Sequence, residues 1–469
     1  MFIQQLYTGC LSEAAYYIES DGEAAIIDPL RDIDVYLQLA NDRKARIKYI
    51  FETHFHADFV SGHIDLSQAT GAPIVYGPGT VTKFPVHVAK DGEEFVLGQL
   101  RIKVLHTPGH TLESSCYLLK DATGNNHCVF TGDTLFVGDV GRPDLAQKGE
   151  ELSMNELAGM MYDSIQRQLL PLGDEVIIYP AHGAGSSCGK NLGKETFSTI
   201  GEQKKYNYAL QAESKAAFIK VVTDGIPAPP QYFPVNARIN KEGYDQLDQV
   251  LTKGLTALSV EAFKKEKEAN CIILDTRHAD QFTQGFVPGS IFIGLEGRFA
   301  EWAGSLLSFS TPIILVTESG KEKETIIRLA RVGLDKINGY LEGGFDQWQQ
   351  SGEPIDMIID VEADELMMDI PHDPNLVVMD VRRETEFADG HLKDAINLPL
   401  NEMTDPGTMA NIEETQNLYV HCAGGYRSVI ASSMLKRQGI HNLRNIVGGW
   451  GKIKEQERAE IVKEKSVLN

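Results

Sequence analysis

Thr53-His54-Phe55-His56-Ala57-Asp58-Phe59 follows directly on Tyr49-Ile50-Phe51-Glu52. The apolar tetrapeptide reads as a strand, so two imidazoles and a carboxylate arrive together at a strand end. Outward along the chain the pattern recurs. His110 follows the turn Thr107-Pro108-Gly109. Asp133 closes Phe130-Thr131-Gly132-Asp133, and His182 stands in Tyr179-Pro180-Ala181-His182-Gly183, each just past an apolar run. A lone histidine of this kind reads as a satisfied core or loop residue. Ligand types at four separate strand ends read as a buried metal site, because strands are rigid and their end loops can converge. Other short β-rich runs lie at 24–27, 74–76, 99–105, 116–119, 128–130 and 175–179, with helical stretches between some of them. An αβ/βα sandwich fits this order.

These residues resemble the metallo-β-lactamase superfamily over roughly residues 1–240. The signature His-x-His-x-Asp-His is present as His54-x-His56-x-Asp58-Phe59, and the later ligand positions match His110, Asp133 and His182. The departure is Phe59. In the dinuclear hydrolases of the family, such as glyoxalase II, a histidine there binds the second metal, and a benzyl group cannot. Two imidazoles and one carboxylate with open positions form the facial triad of non-haem Fe(II) oxygenases. The mononuclear pattern is similar to the persulfide dioxygenases, which implies one Fe(II) per chain held by His54, His110 and Asp133, with zinc as the alternative. His56, Asp58 and His182 are then expected to orient ligands and waters or to serve as alternative ligands. After Asp133 the stretch through Arg142-Pro143-Asp144 resembles the loop beside the thiol-carrier site of these families. Arg142 either pairs with Asp144 or faces an anionic substrate. Lys190, Lys194, Lys204, Lys205 and Tyr206 are basic and aromatic in an otherwise acidic chain. They read as a solvated face or as a clamp for the anionic groups of a thiol cofactor. Cys188, six residues after His182, reads as a bystander thiol.

The proline cluster in Gly225–Pro234 and the Ser351-Gly352-Glu353-Pro354 turn punctuate the chain. We therefore expect domains at 1–245, 246–355 and 356–469. The last two repeat each other. Asp275-Thr276-Arg277 recurs as Asp380-Val381-Arg382, Phe282 as Phe387, Gly285 as Gly390, and Gly343-Gly344 as Gly448-Gly449, always at one constant offset, which signals duplication. Strand-like runs alternating with helical stretches predict a small α/β domain with a mostly parallel sheet.

In the third segment Val420-His421-Cys422 leads into Ala423-Gly424-Gly425-Tyr426-Arg427-Ser428 and a helical run to Arg437. A strand, a glycine loop and a helix start make a nest of backbone N–H groups suited to a thiolate or an anion. Cys422 is the expected nucleophile and Arg427 the group that holds an incoming anionic sulfur species. The stretch resembles the rhodanese family. Cysteine-dependent phosphatases use similar residues on a loop one residue longer, so the shorter loop fits a sulfane sulfur better than a phosphoryl group. In the middle repeat Thr317 or Glu318, depending on a one-residue slip, takes the nucleophile position. That copy is read as inactive.

The order of the three segments resembles the fused persulfide dioxygenase–sulfurtransferases. The resemblance implies a thiol persulfide substrate (of glutathione, coenzyme A or another small thiol), O2, and sulfite or thiosulfate, in sulfide detoxification. A zinc thioesterase of glyoxalase II type fused to a sulfurtransferase is the runner-up. A non-enzymatic persulfide carrier with a vestigial metal site is the third reading. With 66 acidic and 44 basic residues the net charge is −22. That argues against nucleic acid or an anionic membrane as partner. No run approaches the apolar length of a membrane span, and the N-terminal stretch has no basic n-region. Six cysteines at irregular spacing form no disulfide framework. A cytoplasmic homo-oligomer is the expectation.

Overall fold

Two six-stranded sheets make up the first part of the computed structural model, which describes residues 1–146, 152–405, 407, 412 and 415–464. One sheet runs in chain order through β1 (Phe2–Thr8), β2 (Glu13–Ser20), β3 (Glu23–Ile27), β4 (Arg46–Phe51), β5 (Ile74–Tyr76) and β6 (His87–Val88). It is antiparallel up to β3 and parallel beyond. The other contains β7 (Glu94–Leu97), β8 (Leu100–His106), β9 (Ser115–Lys120), β10 (Asn126–Gly132), β11 (Ile177–Pro180) and β12 (Ser198–Thr199), in the order β12-β11-β10-β9-β8-β7. Ile18, Phe51, Val104, Tyr117 and Phe130 from both sheets fill one buried cluster. Burying an aromatic or aliphatic side chain of this size stabilises by roughly 1.5–3 kcal/mol. The helix Asp34–Asp42 covers the first sheet with Tyr36 and Ala40. Met161 and Phe218, from Met154–Ser164 and Lys215–Thr223, cover the second. Helix, sheet, sheet and helix are therefore stacked as the expected αβ/βα sandwich.

The chain divides into two compact units. The first is Met1–Gln249 with Ala330–Gly333, and the second holds both repeats from Val250 onward. The middle repeat has β13 (Ala257–Leu258), β14 (Ile272–Asp275), β15 (Ile291–Phe292), β16 (Ile313–Val316) and β17 (Ile337–Leu341) in the order β13-β17-β16-β14-β15. The last repeat has β18 (Ile359–Val361), β19 (Leu376–Asp380), β20 (His391–Leu392), β21 (Ile396–Asn397), β22 (Asn417–His421), β23 (Leu443–Ile446) and β24 (Ile461–Val462). Its main sheet runs β18-β23-β22-β19-β21, position for position the same, and β20 pairs with β24 outside it. Both main sheets are parallel throughout.

The residues that recur between the copies form a structural clasp. Asp380 accepts the Arg382 Nε and Nη2 at 2.6–3.0 Å, and Nη2 also donates to the Gly390 carbonyl at 2.7 Å. Asp275 and Arg277 do the same with the Gly285 carbonyl at 2.9 Å. The Arg382 guanidinium lies over Trp450, and that of Arg277 over Phe345. Among the described residues no helix is long and apolar enough to cross a membrane, and all six cysteines are free.

Candidate functional site

In the first unit the strand ends deliver the ligand types. β3 leads directly into Asp28, whose carboxylate accepts the Thr53 N–H at 2.7 Å and the Thr53 hydroxyl at 2.9 Å. That fixes the start of the His54–Phe59 loop. Gly132, at the end of β10, has φ +52, and a Cβ there would lie 2.6 Å from Thr53 Oγ1. The Thr-Gly-Asp turn therefore needs its glycine.

His54, His110 and Asp133 converge, all buried, with one ligand atom of each within 4.8 Å of the others. Asp133 Oδ2 lies 3.7 Å from His54 Nε2 and 3.4 Å from His110 Nε2, and it has no hydrogen-bond partner. The other ring nitrogens are occupied, His54 Nδ1 at 2.9 Å from Thr53 Oγ1 and His110 Nδ1 at 2.9 Å from the Arg142 carbonyl. Both histidines thus present Nε2 to the same point as a carboxylate oxygen left without a proton donor. Burial holds both imidazoles below their ordinary range, so they stand as neutral ligands. This donor set fits a divalent transition metal.

His182 orients the carboxylate. Its Nδ1 is 2.7 Å from Asp133 Oδ1 and its Nε2 is 2.7 Å from Asp58 Oδ2. Burial alone would lower the His182 pKa, but the two carboxylates, Asp133 first, raise it well above the ordinary value. Burial works to raise Asp133, and the His182 charge overcomes it and holds the group well below the carboxylate range. Cys188 joins Asp58 and His182 in a second buried trio. Burial, then Asp58 and Asp133, push its thiol well up, so it is a neutral sulfur beside the site.

His56 belongs to a third group with Asp28 and Glu52. Its Nε2 is 3.1 Å from Asp28 Oδ1, and the tilted Phe59 ring packs against its own at 4.2 Å. The sequence-stretch that delivers His54 and His56 together therefore sends them to different partners.

Of the substrate-facing candidates, Arg142 is bound bidentately to Asp144 at 2.7 and 2.8 Å, and it also donates to the Ser187 and Pro227 carbonyls. The pair is a strut, and the Arg142 backbone carbonyl sets the His110 tautomer. Lys190 Nζ donates to the Val221 and Asp224 carbonyls at the end of the helix Lys215–Thr223. Lys205 and Tyr206 are exposed at the end of the helix Ile200–Tyr206. Helix-end carbonyls thus take up the Lys190 charge and Asp144 that of Arg142.

The second site lies at the end of β22. Cys422 is buried, and its Sγ accepts the Gly425 N–H at 3.1 Å. Its carbonyl accepts the Trp450 N–H at 2.7 Å. Gly449, with φ +53, packs so closely that a Cβ would lie 2.3 Å from that carbonyl. Arg427 is held bidentately by Glu386 at 2.7 and 2.9 Å. Val316 pairs with Asp275 as His421 pairs with Asp380. Register therefore places Thr317, not Glu318, at the position of Cys422.

Sequence reasoning did not single out Asp28, Glu52 or Glu386. Asp28 carried the same signal as the rest, an acid just past an apolar run.

Residues 8–182 match the metallo-beta-lactamase superfamily, and residues 259–351 and 362–456 match the rhodanese-like domain. The solved metallo-beta-lactamase of Staphylococcus aureus subsp. aureus COL is 32% identical, with 73% of this chain and 98% of that one covered and a TM-score of 0.64. The chain belongs to the metallo-beta-lactamase superfamily and carries two rhodanese-like domains. ETHE1 from Myxococcus xanthus is 30% identical, covering 51% of this chain and 98% of that one, with a TM-score of 0.44. A probable hydroxyacylglutathione hydrolase of Schizosaccharomyces pombe is 28% identical over 228 residues, 43% of this chain and 84% of that one. These domains are of enzyme type.

Proposed function

We propose that the metallo-beta-lactamase domain is an iron-dependent persulfide dioxygenase and that the last rhodanese-like domain is a sulfurtransferase acting on the same sulfur, in sulfide detoxification. The observation that carries this reading is the grouping itself. His54, His110 and Asp133 form one two-imidazole, one-carboxylate trio, while His56 is turned to Asp28 and Glu52 and Phe59 fills a ligand position of the dinuclear enzymes. Bound Fe(II) would supply adjacent open positions for O2 and for the sulfane sulfur. The chain's own part is to hold that trio. Thr53 and the Arg142 carbonyl fix the two imidazoles, and His182 fixes Asp133. The overall reaction is R–S–SH + O2 + H2O giving R–SH, sulfite and two protons. The sulfane sulfur is oxidised and dioxygen reduced. In the second domain the Cys422 thiolate attacks the sulfane sulfur of a further persulfide, the S–S bond breaks and the thiolate R–S⁻ leaves. Sulfite then takes that sulfur from Cys422 as thiosulfate.

The similarity to hydroxyacylglutathione hydrolases favours a second reading, a zinc thioesterase. Anaerobic purification with metal analysis and oxygen-uptake assays separates the two. His110→Ala is expected to lose both bound iron and persulfide-dependent oxygen uptake. Oxygen uptake unchanged in that variant, or two zinc ions in the active wild type, would overturn the dioxygenase reading.

A further inference from the structure

The cleft above Cys422 is built from both repeats. It encloses about 500 Å³, and around Cys422 it presents Arg298 and Trp302 of the middle repeat with Arg383, Glu386 and Arg427 of the last. The two repeats are pinned together beside it. Tyr426 donates its hydroxyl to the Gly294 carbonyl at 2.7 Å, and the Phe292 N–H donates to Ser433 Oγ at 2.9 Å. The wall from the middle repeat is thus held directly to the Cys422 loop and its helix.

Among the described residues three guanidiniums line this cleft against the single lining carboxylate of Glu386, which Arg427 already holds in both oxygens. Arg298 pairs with Glu301 of its own repeat. Burial, and then the neighbouring charge of Arg298, push Arg383 below its ordinary range. Three guanidiniums therefore stand against two carboxylates, Glu386 and Glu301, which leaves the cleft one positive charge in excess. A bare thiosulfate or sulfite has only a few heavy atoms, whereas a cleft of this size belongs to the range that encloses organic ligands. The indole of Trp302 offers an apolar face for a thiol's stem, and guanidiniums are the groups of choice for carboxylate or phosphate.

We propose that the middle repeat, although it has no nucleophile, supplies Arg298 and Trp302 as specificity-determining residues of the Cys422 site, which takes its sulfane sulfur from an organic thiol persulfide bearing carboxylate or phosphate groups. The Cys422 thiolate attacks the outer sulfur of R–S–SH, the S–S bond breaks, and R–S⁻ leaves with its electron pair while Cys422 keeps the outer sulfur and its proton as a persulfide. Arg298 and Arg383 meet the anionic tail of R. This rests on the reading of Cys422 as a sulfur acceptor.

The test compares sulfur transfer to cyanide from three donors, glutathione persulfide, coenzyme A persulfide and the uncharged persulfide of 2-mercaptoethanol, in wild type, Arg298→Gln and Arg298→Lys. In wild type kcat/KM is expected to favour the charged donors. Arg298→Gln should lower that preference by about tenfold, through KM, the size of one lost charge-assisted hydrogen bond. Arg298→Lys should restore part of it. A loss in Arg298→Gln equal for all three donors, or none at all, would overturn the proposal. A second measurement needs no variant. S-Methylglutathione should slow the alkylation of wild-type Cys422 by iodoacetamide, and uncharged 2-(methylthio)ethanol at the same concentration should not. Equal protection by both overturns the proposal as well. A wild-type chain that forms no thiocyanate from any donor would instead remove the sulfurtransferase reading on which it stands.

Discussion

The rings of His56 and Phe59 pack against each other with centroids 4.2 Å apart and planes tilted by 31°. His56 Nε2 lies 3.1 Å from Asp28 Oδ1, and Phe59 fills with carbon the position where the family's dinuclear hydrolases place a nitrogen ligand. Asp58, His182 and Cys188 form a separate buried trio, with His182 already paired to two carboxylates. Restoring the nitrogen should restore part of a second metal site. Phe59→His is expected to raise the metal content measured by mass spectrometry from one ion per chain toward two when the protein is refolded with excess zinc. Wild type already holding two tightly bound ions would show that Phe59 does not set the stoichiometry.

His63 gives the first unit a pH dependence. It is buried, its Nδ1 is 3.3 Å from Glu52 Oε1, and it stacks on Phe84. Burial, and then the neighbouring His56, lower its pKa to about 3. As pH falls the unfolded chain takes up this proton first. Stability is therefore complete above the unfolded value and lost progressively between about 6.5 and 3. At pH 5 the loss from this residue comes to roughly 2 kcal/mol. Hydrogen exchange of the β4 amides should show wild type weakening from pH 7 to pH 5 by that amount more than His63→Gln. Equal weakening in both would assign the acid sensitivity elsewhere.

The Asp–Arg clasp predicts a stability effect in a repeat that has no nucleophile. Asp275 and Arg277 are both buried, and removing one partner leaves an uncompensated charge inside, a cost of about 3–5 kcal/mol. Trp302, Trp348 and Trp450 are the chain's three tryptophans, and all lie in the second unit, so their fluorescence reports its unfolding alone. Asp275→Ala should lower the urea midpoint of that signal much as Asp380→Ala does. A midpoint unchanged in Asp275→Ala would mean that the recurrence of Asp-x-Arg has another cause.

That clasp also explains what the sequence made legible. The duplication was visible because it preserves residues that hold the sheet to the Gly-Gly helix start, and these serve any copy, with or without a nucleophile. The metal ligands were visible because apolar β-rich runs end at them. β1 and β2 were not among the expected strands. Phe2–Thr8 mixes glutamines among its apolar residues, and Glu13–Ser20 is buried along almost its whole length, so neither shows clean alternation. The division of His54 and His56 between two groups was equally hidden, since it depends on Asp28 arriving from β3. Arg298 and Trp302 reach the Cys422 cleft only through the pairing of two repeats. Local periodicity carries no trace of such a contact.

The last prediction joins the two chemistries. If the first domain makes sulfite and Cys422 consumes it, a single chain holds the product of one site near the other at high effective concentration. Serine at position 422 keeps the loop geometry, with the Gly425 N–H still facing the side chain, but a hydroxyl cannot carry a sulfane sulfur. Cys422→Ser is therefore expected to keep most of its persulfide-dependent oxygen uptake and to lose thiosulfate:cyanide transfer. Given persulfide and O2, wild type should accumulate mainly thiosulfate and Cys422→Ser mainly sulfite, read by thiol-reactive labelling and chromatography. Mixing Cys422→Ser with His110→Ala should restore thiosulfate only at high protein concentration, because the sulfite must then diffuse between chains. Sulfite as the sole product of wild type under excess persulfide would break the coupling and leave the two activities as independent functions of one chain.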